Sequence, residues 1–248
     1  MRRKSRDEAY AVILVGGRGK RLRPLIVLAS GEILGVGRTR LMPVAAAAEI
    51  VHNFSLIHDD LPAMDDDDFR RGKPTCHKAF DEATAVLAGD ALLTLGFGLL
   101  ARAGRTELAG EMAEAIGSRG MAGGQALDML LQQGRLSAEK KQLIDEMKTG
   151  RLFRFCFRAP LAFVRVPAPR ARLMSGLGDD FGVAFQIRDD IEDAEGDASL
   201  LREKLQELRD RMEEKIRKIG GKTGVLEYII DSVYPAPFTG IGGHDGKP

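Results

Sequence analysis

Between Ser199 and Ile219 the apolar side chains Leu201, Leu205, Leu208, Met212, Ile216 and Ile219 fall at steps of 4, 3, 4, 4 and 3. That spacing draws one apolar stripe down an α-helix and leaves the intervening charges on its outer face. It predicts an amphipathic helix with Ser199 as N-cap and Gly220-Gly221 as its stop. The same period recurs over about 22–34, 42–61, 81–103, 107–131, 138–157 and 171–194, and no set of alternating β-branched segments bounded by hairpin turns accompanies it. The chain is therefore expected to be all-α. Breaks fall at Gly35-Val36-Gly37, around Gly72-Lys73-Pro74, at Gly134 and around Pro160–Pro169. None is long enough for an interdomain linker, so residues 1–234 are expected to form one domain, followed by a flexible Gly/Pro-rich tail over 235–248.

With 248 residues, 44% of them hydrophobic, the chain can bury a sizeable core. Lys plus Arg number 37 and Asp plus Glu 36, a balance that gives no reason to expect a nucleic-acid partner. The charges are nevertheless segregated: residues 1–30 carry eight basic side chains against two acidic ones, and residues 59–68 carry six aspartates with no Lys or Arg. Opposite charges concentrated in short segments are expected to act locally. Two cysteines, Cys76 and Cys156, make no C-x-x-C pair and fit a reducing, cytoplasmic compartment. The apolar stretch Ala83–Ala101 is interrupted by Gly89-Asp90, Gly96 and Gly98, so no stable membrane insertion is expected. Met1-Arg2-Arg3-Lys4 is followed at once by Asp7 and Glu8 and a short apolar stretch, so no signal peptide is expected here.

Two segments place aspartates after apolar helical runs, Phe54 to Asp65 and Phe185 to Asp193. In the second, Asp189 and Asp193 are four apart, about 400° of rotation, so their carboxylates share one helix face. In the first, Asp59 and Asp65 are six apart, about 600°, which would put them on different faces of an unbroken helix. Pro62 disfavours helical geometry at Leu61 and removes an amide donor. A bulge or helix end at Leu61–Met64 is therefore expected, swinging Asp65 back beside Asp59. Hard oxygen donors without a Cys or His cluster suit magnesium rather than zinc. A single aspartate run is as readily a wet loop, but a cavity facing two would be strongly negative without a cation.

Gly16-Gly17-Arg18-Gly19-Lys20-Arg21-Leu22-Arg23-Pro24 puts four cations and flexible backbone within nine residues, and Arg70-Arg71-Gly72-Lys73 follows the first aspartates directly. Such groups suit diphosphate, through bidentate Arg contacts and the Lys point charge. The Gly-rich run is not a P-loop, which would need Ser or Thr where Arg21 stands.

Taken together, Gly19-Lys20-Arg21-Leu22-Arg23-Pro24, the block from His58 to Thr75, Lys148-Thr149-Gly150, and Phe185-Gln186-Ile187-Arg188-Asp189-Asp190-Ile191-Glu192-Asp193 resemble the trans-isoprenyl diphosphate synthases, in that family's order over about residues 10–197. The resemblance implies an all-α bundle of about ten helices around a deep central cavity, a homodimer, and condensation of an allylic diphosphate with isopentenyl diphosphate. It further implies that Asp59, Asp65 and Asp189 hold about three magnesium ions, with Asp60, Asp190 and Asp193 as ligands or support. Arg70 and Lys148 would contact the allylic diphosphate, and Lys20, Arg23, His52 and Arg71 that of isopentenyl diphosphate. Thr149 and Gln186 oxygens would stabilise the allylic cation. His52, on an apolar helix, reads equally well as a core histidine. Phe54, five residues before Asp59, and Ser55, four before, would set product length, the aromatic favouring farnesyl over geranylgeranyl diphosphate.

The sequence departs from the family pattern in three places. The sequence begins close to the Gly-Lys-Arg string, ahead of which the family usually places a helix. Gly17-Arg18-Gly19-Lys20 is two residues longer than the usual Gly-Gly-Lys. After Asp197 the Gly-Lys-rich loop and its Lys-x-Thr-Tyr helix start have no counterpart. Two other classes compete, a non-catalytic prenyl-diphosphate-binding subunit and a class I terpene cyclase. Retention of both acidic clusters opposes the first; Lys20, Arg23 and Arg71, together with the absence of the cyclase Asn/Ser/Glu pattern, oppose the second.

Overall fold

The computed structural model describes residues 21–192 and 197–234. Helix α1 (Leu22–Ile33) turns at Gly35, whose φ of +72° only glycine adopts freely, into α2 (Arg38–Asp59). A two-stranded antiparallel hairpin, β1 (Phe69–Arg70) and β2 (Lys73–Pro74), leads through α3 (Cys76–Ala79) to α4 (Glu82–Arg102), α5 (Thr106–Ile116) and α6 (Met121–Gln132). A 3-10 turn (Ala138–Lys140), α7 (Lys141–Asp145), a π turn (Glu146–Gly150) and α8 (Arg151–Arg158) then run almost continuously into a second 3-10 turn (Ala159–Phe163). Helices α9 (Ala168–Glu192), α10 (Ala198–Ile219) and α11 (Gly224–Val233) complete the bundle. The all-α reading holds.

Helix α2 packs against α1 and α4, and α9 packs against α8 and α10. The stripe that defines α10 goes inward as expected: Leu208, Met212, Ile216 and Ile219 are buried, with Leu201 and Leu205 packed at the margin. Phe153, Phe157, Phe181 and Tyr234 form an aromatic knot in the core, closed by the Tyr234 hydroxyl donating to the Phe181 carbonyl at 3.0 Å. Asp180, 3% exposed, accepts from Arg211 at 2.6 Å and from Lys215, tying α9 to α10 with a paired rather than isolated buried charge.

Several boundaries differ from expectation. The stretch 107–131 is two helices, because α5 ends at the extended Gly117 and Gly120 precedes α6; glycine weakens a helix interior, and two of them three residues apart end it. The N-cap of α10 is Asp197, whose carboxylate accepts from the amides of Ser199 and Leu200, so Ser199 lies inside the helix. Helix α2 begins at Arg38, ahead of the expected start, and α11 was not expected at all. The hairpin corrects the reading of 72–74 as a plain break: Arg71 and Gly72, at φ of +53° and +75°, make the two-residue turn that suits the strands' twist. Lys20, Asp193 and the tail 235–248 lie outside the described residues.

Candidate diphosphate site

The first acidic segment turns as Pro62 requires. Helix α2 ends at Asp59, and the Asp65 amide donates to the Asp59 carbonyl at 2.9 Å, bringing the two aspartates together despite their six-residue separation. Burial pushes the Asp59 carboxyl up to about 6; repulsion from Asp65 and Asp60 adds to this, while Lys148 and Arg70 pull the other way. Asp60, 4% exposed, accepts from Arg70 Nε at 2.6 Å, and Arg70 Nη2 lies 2.5 Å from the same carboxylate oxygen, a charge-assisted contact on one oxygen. The hairpin thus aims Arg70 back at the end of α2.

Lys148 and Thr149 ride on the π turn, whose extra residue per turn re-aims side chains relative to an α-helix. Close packing fixes this turn. A Cβ on Gly124 of α6 would come within 2.4 Å of the Lys148 amide nitrogen, and one on Gly182 of α9 within 2.6 Å of the Gly150 Cα. Lys148 bonds Asp128 at 2.6 Å and its charge also reaches Asp59 and Asp145. The second acidic segment meets the same group from the other side: Asp190 accepts from Lys141 at 3.1 Å and from Gln186 at 3.2 Å, and it acts on Asp145, which burial pushes up to about 6. Asp189 pairs with Arg188 at 2.7 Å. The end of α2, the π turn and the end of α9 therefore form one electrostatic neighbourhood.

A basic group adjoins it. Arg23 of α1 lies 4.4 Å over the Phe153 ring, with its Nε buried and unpartnered, and burial lowers its pKa from the ordinary value. His52 is held well below the usual imidazole range by burial and by the charges of Arg23, Arg71 and Arg70. Three arginine charges that act on one buried histidine mark a place where an anion would relieve the repulsion among them. Phe54 stands edge-on to His58, with ring centres 5.0 Å apart, and Ser55 donates to the His52 carbonyl at 3.0 Å.

Sequence reasoning missed four members of this neighbourhood. Gln125 (5% exposed) donates to Asp65 at 2.9 Å, and Asp128, Asp145 and Lys141 connect Lys148 with Asp190. Gln125 and Asp128 sit three apart in a Gly-rich apolar helix, a polar pair on one face that could have drawn attention. A pocket of about 490 Å³ elsewhere, lined by Arg119, Arg151, Arg154, Arg158, Glu111 and Glu114, contains none of the predicted site residues.

An all-helical bundle that gathers two aspartate-bearing helix ends and a cluster of arginines around one lysine-bearing turn defines a protein of the isoprenoid synthase fold class. Solved relatives agree: an FPP/GFPP synthase from Zymomonas mobilis superposes with a TM-score of 0.82 at 38% identity, covering 92% of this chain and 87% of its own. A geranyltransferase from Legionella pneumophila gives 0.80 at 33%, covering 94% and 89%. Among curated proteins, the farnesyl diphosphate synthase of Bacillus subtilis is 46% identical over 72% of this chain and 63% of its own length. That of Escherichia coli is 44% identical over 88% and 70%. The chain thus spans roughly two thirds of the length of these curated relatives. The polyprenyl synthetase family model matches residues 7–220, and the chain belongs to that family.

Proposed function

We propose that the protein condenses isopentenyl diphosphate with dimethylallyl or geranyl diphosphate to give a short prenyl diphosphate, farnesyl diphosphate. The observation that carries this reading is the meeting of Asp59 and Asp65 with Lys148 and, through Asp145, with Asp190. The names of the curated relatives support the product, as does an aromatic residue at position 54.

The donors fit magnesium: they are carboxylates, and burial makes the ionised forms of Asp59 and Asp145 costly without a further positive charge, which a cation would supply. Asp59, Asp65 and Asp189 would hold about three ions, with Asp60, Asp190 and Asp193 as further ligands or support. When bound, the metal neutralises charge on the departing diphosphate. Arg70 and Lys148 hold that diphosphate; to do so, they exchange the aspartates they now pair with for phosphate oxygens. Lys20, Arg23, Arg71 and His52 hold the diphosphate of isopentenyl diphosphate. Thr149 and Gln186 present oxygens to the allylic cation, and the isopentenyl double bond attacks it. The proton then lost passes to the released diphosphate.

The protein acts in the cytoplasm as a soluble homodimer. Helix α4 is long and apolar enough to cross a membrane, with 28% of its most apolar window buried. In this reading a second copy covers its exposed Val86, Leu87 and Leu95. Incubation with magnesium, isopentenyl diphosphate and an allylic diphosphate, followed by chromatography, tests the activity. Farnesyl product supports the reading and geranylgeranyl product corrects its length. Cyclic hydrocarbon without isopentenyl consumption, or no product at all, overturns it.

A further inference from the structure

Past Asp65 the chain gathers a second set of donors. Asp66 and Asp68, on the loop before β1, and His77, in α3, each bring a ligand atom within 4.8 Å of the other two. Both carboxylates are exposed, whereas the imidazole is only 7% exposed. Its surroundings fix its proton. Thr75 Oγ donates to the Asp67 carbonyl at 2.8 Å and lies 3.2 Å from His77 Nδ1, so Nδ1 carries the hydrogen and donates to Thr75. Nε2 is left with its lone pair, buried and without a hydrogen-bond partner. A buried acceptor in that condition is destabilising until something meets its lone pair. An imidazole oriented through its other N–H is also the arrangement that metal-bound histidines adopt.

We propose that Asp66, Asp68 and His77 form a site for a divalent transition-metal cation, separate from the diphosphate-side carboxylates, that pins the loop between Asp65 and Arg70. One imidazole with two carboxylates suits manganese, cobalt or zinc better than magnesium, which prefers oxygen donors alone. Donors on one ion, each about 2.1 Å from it, lie within roughly 4.2 Å of one another. Rotation of the exposed Asp66 and Asp68 carboxylates supplies the small closure needed. Lys78 Nζ stands 2.8 Å from Asp68 and competes with the ion for that carboxylate. Because Asp65 and Arg70 flank the loop, the ion would steady both without touching substrate.

The test is pulsed electron paramagnetic resonance on the full chain titrated with manganese in the absence of diphosphate. The bound ion is expected to show nitrogen coupling to one imidazole. The coupling should persist in Asp59→Asn and vanish in His77→Gln and in Asp66→Asn combined with Asp68→Asn. Lys78→Met should tighten manganese binding several-fold. Asn tolerates the left-handed backbone of Asp66, φ +53°, so the double variant keeps its fold and decides the matter if His77→Gln misfolds. No nitrogen coupling at saturating manganese, coupling that survives the double variant, or coupling lost in Asp59→Asn overturns the proposal. None of these readouts depends on prenyl transfer.

Discussion

Gln125 on α6 donates its side-chain amide to Asp65 across 2.9 Å, linking residues sixty apart in the chain. The amide is buried, and its oxygen has no partner among the described residues. Asp65 follows a turn rather than a helix, so this bond is what orients its carboxylate. Gln125→Leu is expected to weaken magnesium activation by roughly tenfold, the usual scale for losing a residue that orients a metal ligand. Gln125→Asn, one methylene shorter, should recover little. Activity titrated against magnesium checks this, and an unchanged activation constant in a folded variant contradicts it.

Asp59 opposes the fold that holds it. Its folded-state carboxyl titrates near 6 against an ordinary 3.8, chiefly through burial. Folding therefore favours the neutral form: the contribution is fully present below about pH 4 and is lost as pH rises through 6. At pH 7 the metal-free protein carries an ionised carboxylate it would be more stable without. Asp59→Asn is expected to raise Tm at pH 7 in chelator by roughly 2–6 °C, corresponding to about 1–2 kcal/mol, and to change it little at pH 4. The same substitution should nearly abolish turnover. Calorimetry at the two pH values, with a product assay, reads both effects.

Much of this is legible in the sequence because it is local. The stripe of α10 is set by spacing, and the return of Asp65 to Asp59 follows from Pro62 within one turn. What escapes is long-range or short-lived along the chain. Gln125 and Asp128 stand out only as a polar pair on an apolar helix; what they bind is not readable there, since their partners Asp65 and Lys148 lie on other elements. The hairpin around Arg71-Gly72 has two residues per strand, too few for alternation to register. Asp197 displaces Ser199 as a cap because a carboxylate there reaches two amides at once. The π turn under Lys148 arises from the packing of α6 and α9, not from the composition of 146–150.

Phe54 meets His58 edge-on, and His58 in turn lies 3.1 Å from the Val86 carbonyl of α4. A Cβ at Gly89 would fall 2.0 Å from His58 Nε2, so α4 leaves that imidazole no room to retreat. The Phe54 ring is thereby braced from behind. Phe54→Ala is expected to lengthen the prenyl product by at least one isoprene unit, with little loss of fold because the ring is only partly buried. Chromatography of the products decides; an unchanged distribution in an active variant removes Phe54 as the length determinant.

The covering of α4 by a second copy can be tested without touching the diphosphate site. Leu87 is 67% exposed and Leu95 44% exposed, on a helix whose other face packs against α2. Both are among the exposed large apolar side chains, and glutamates buried across a paired face would be strongly unfavourable. Leu87→Glu with Leu95→Glu is expected to convert a dimer to a monomer of unchanged helicity. Leu200→Glu, at a residue 63% exposed on α10, should leave the dimer intact. Analytical ultracentrifugation distinguishes the two variants. A dimer that survives the α4 pair places the subunit interface elsewhere, whereas a wild-type monomer means that no second copy covers α4 at all.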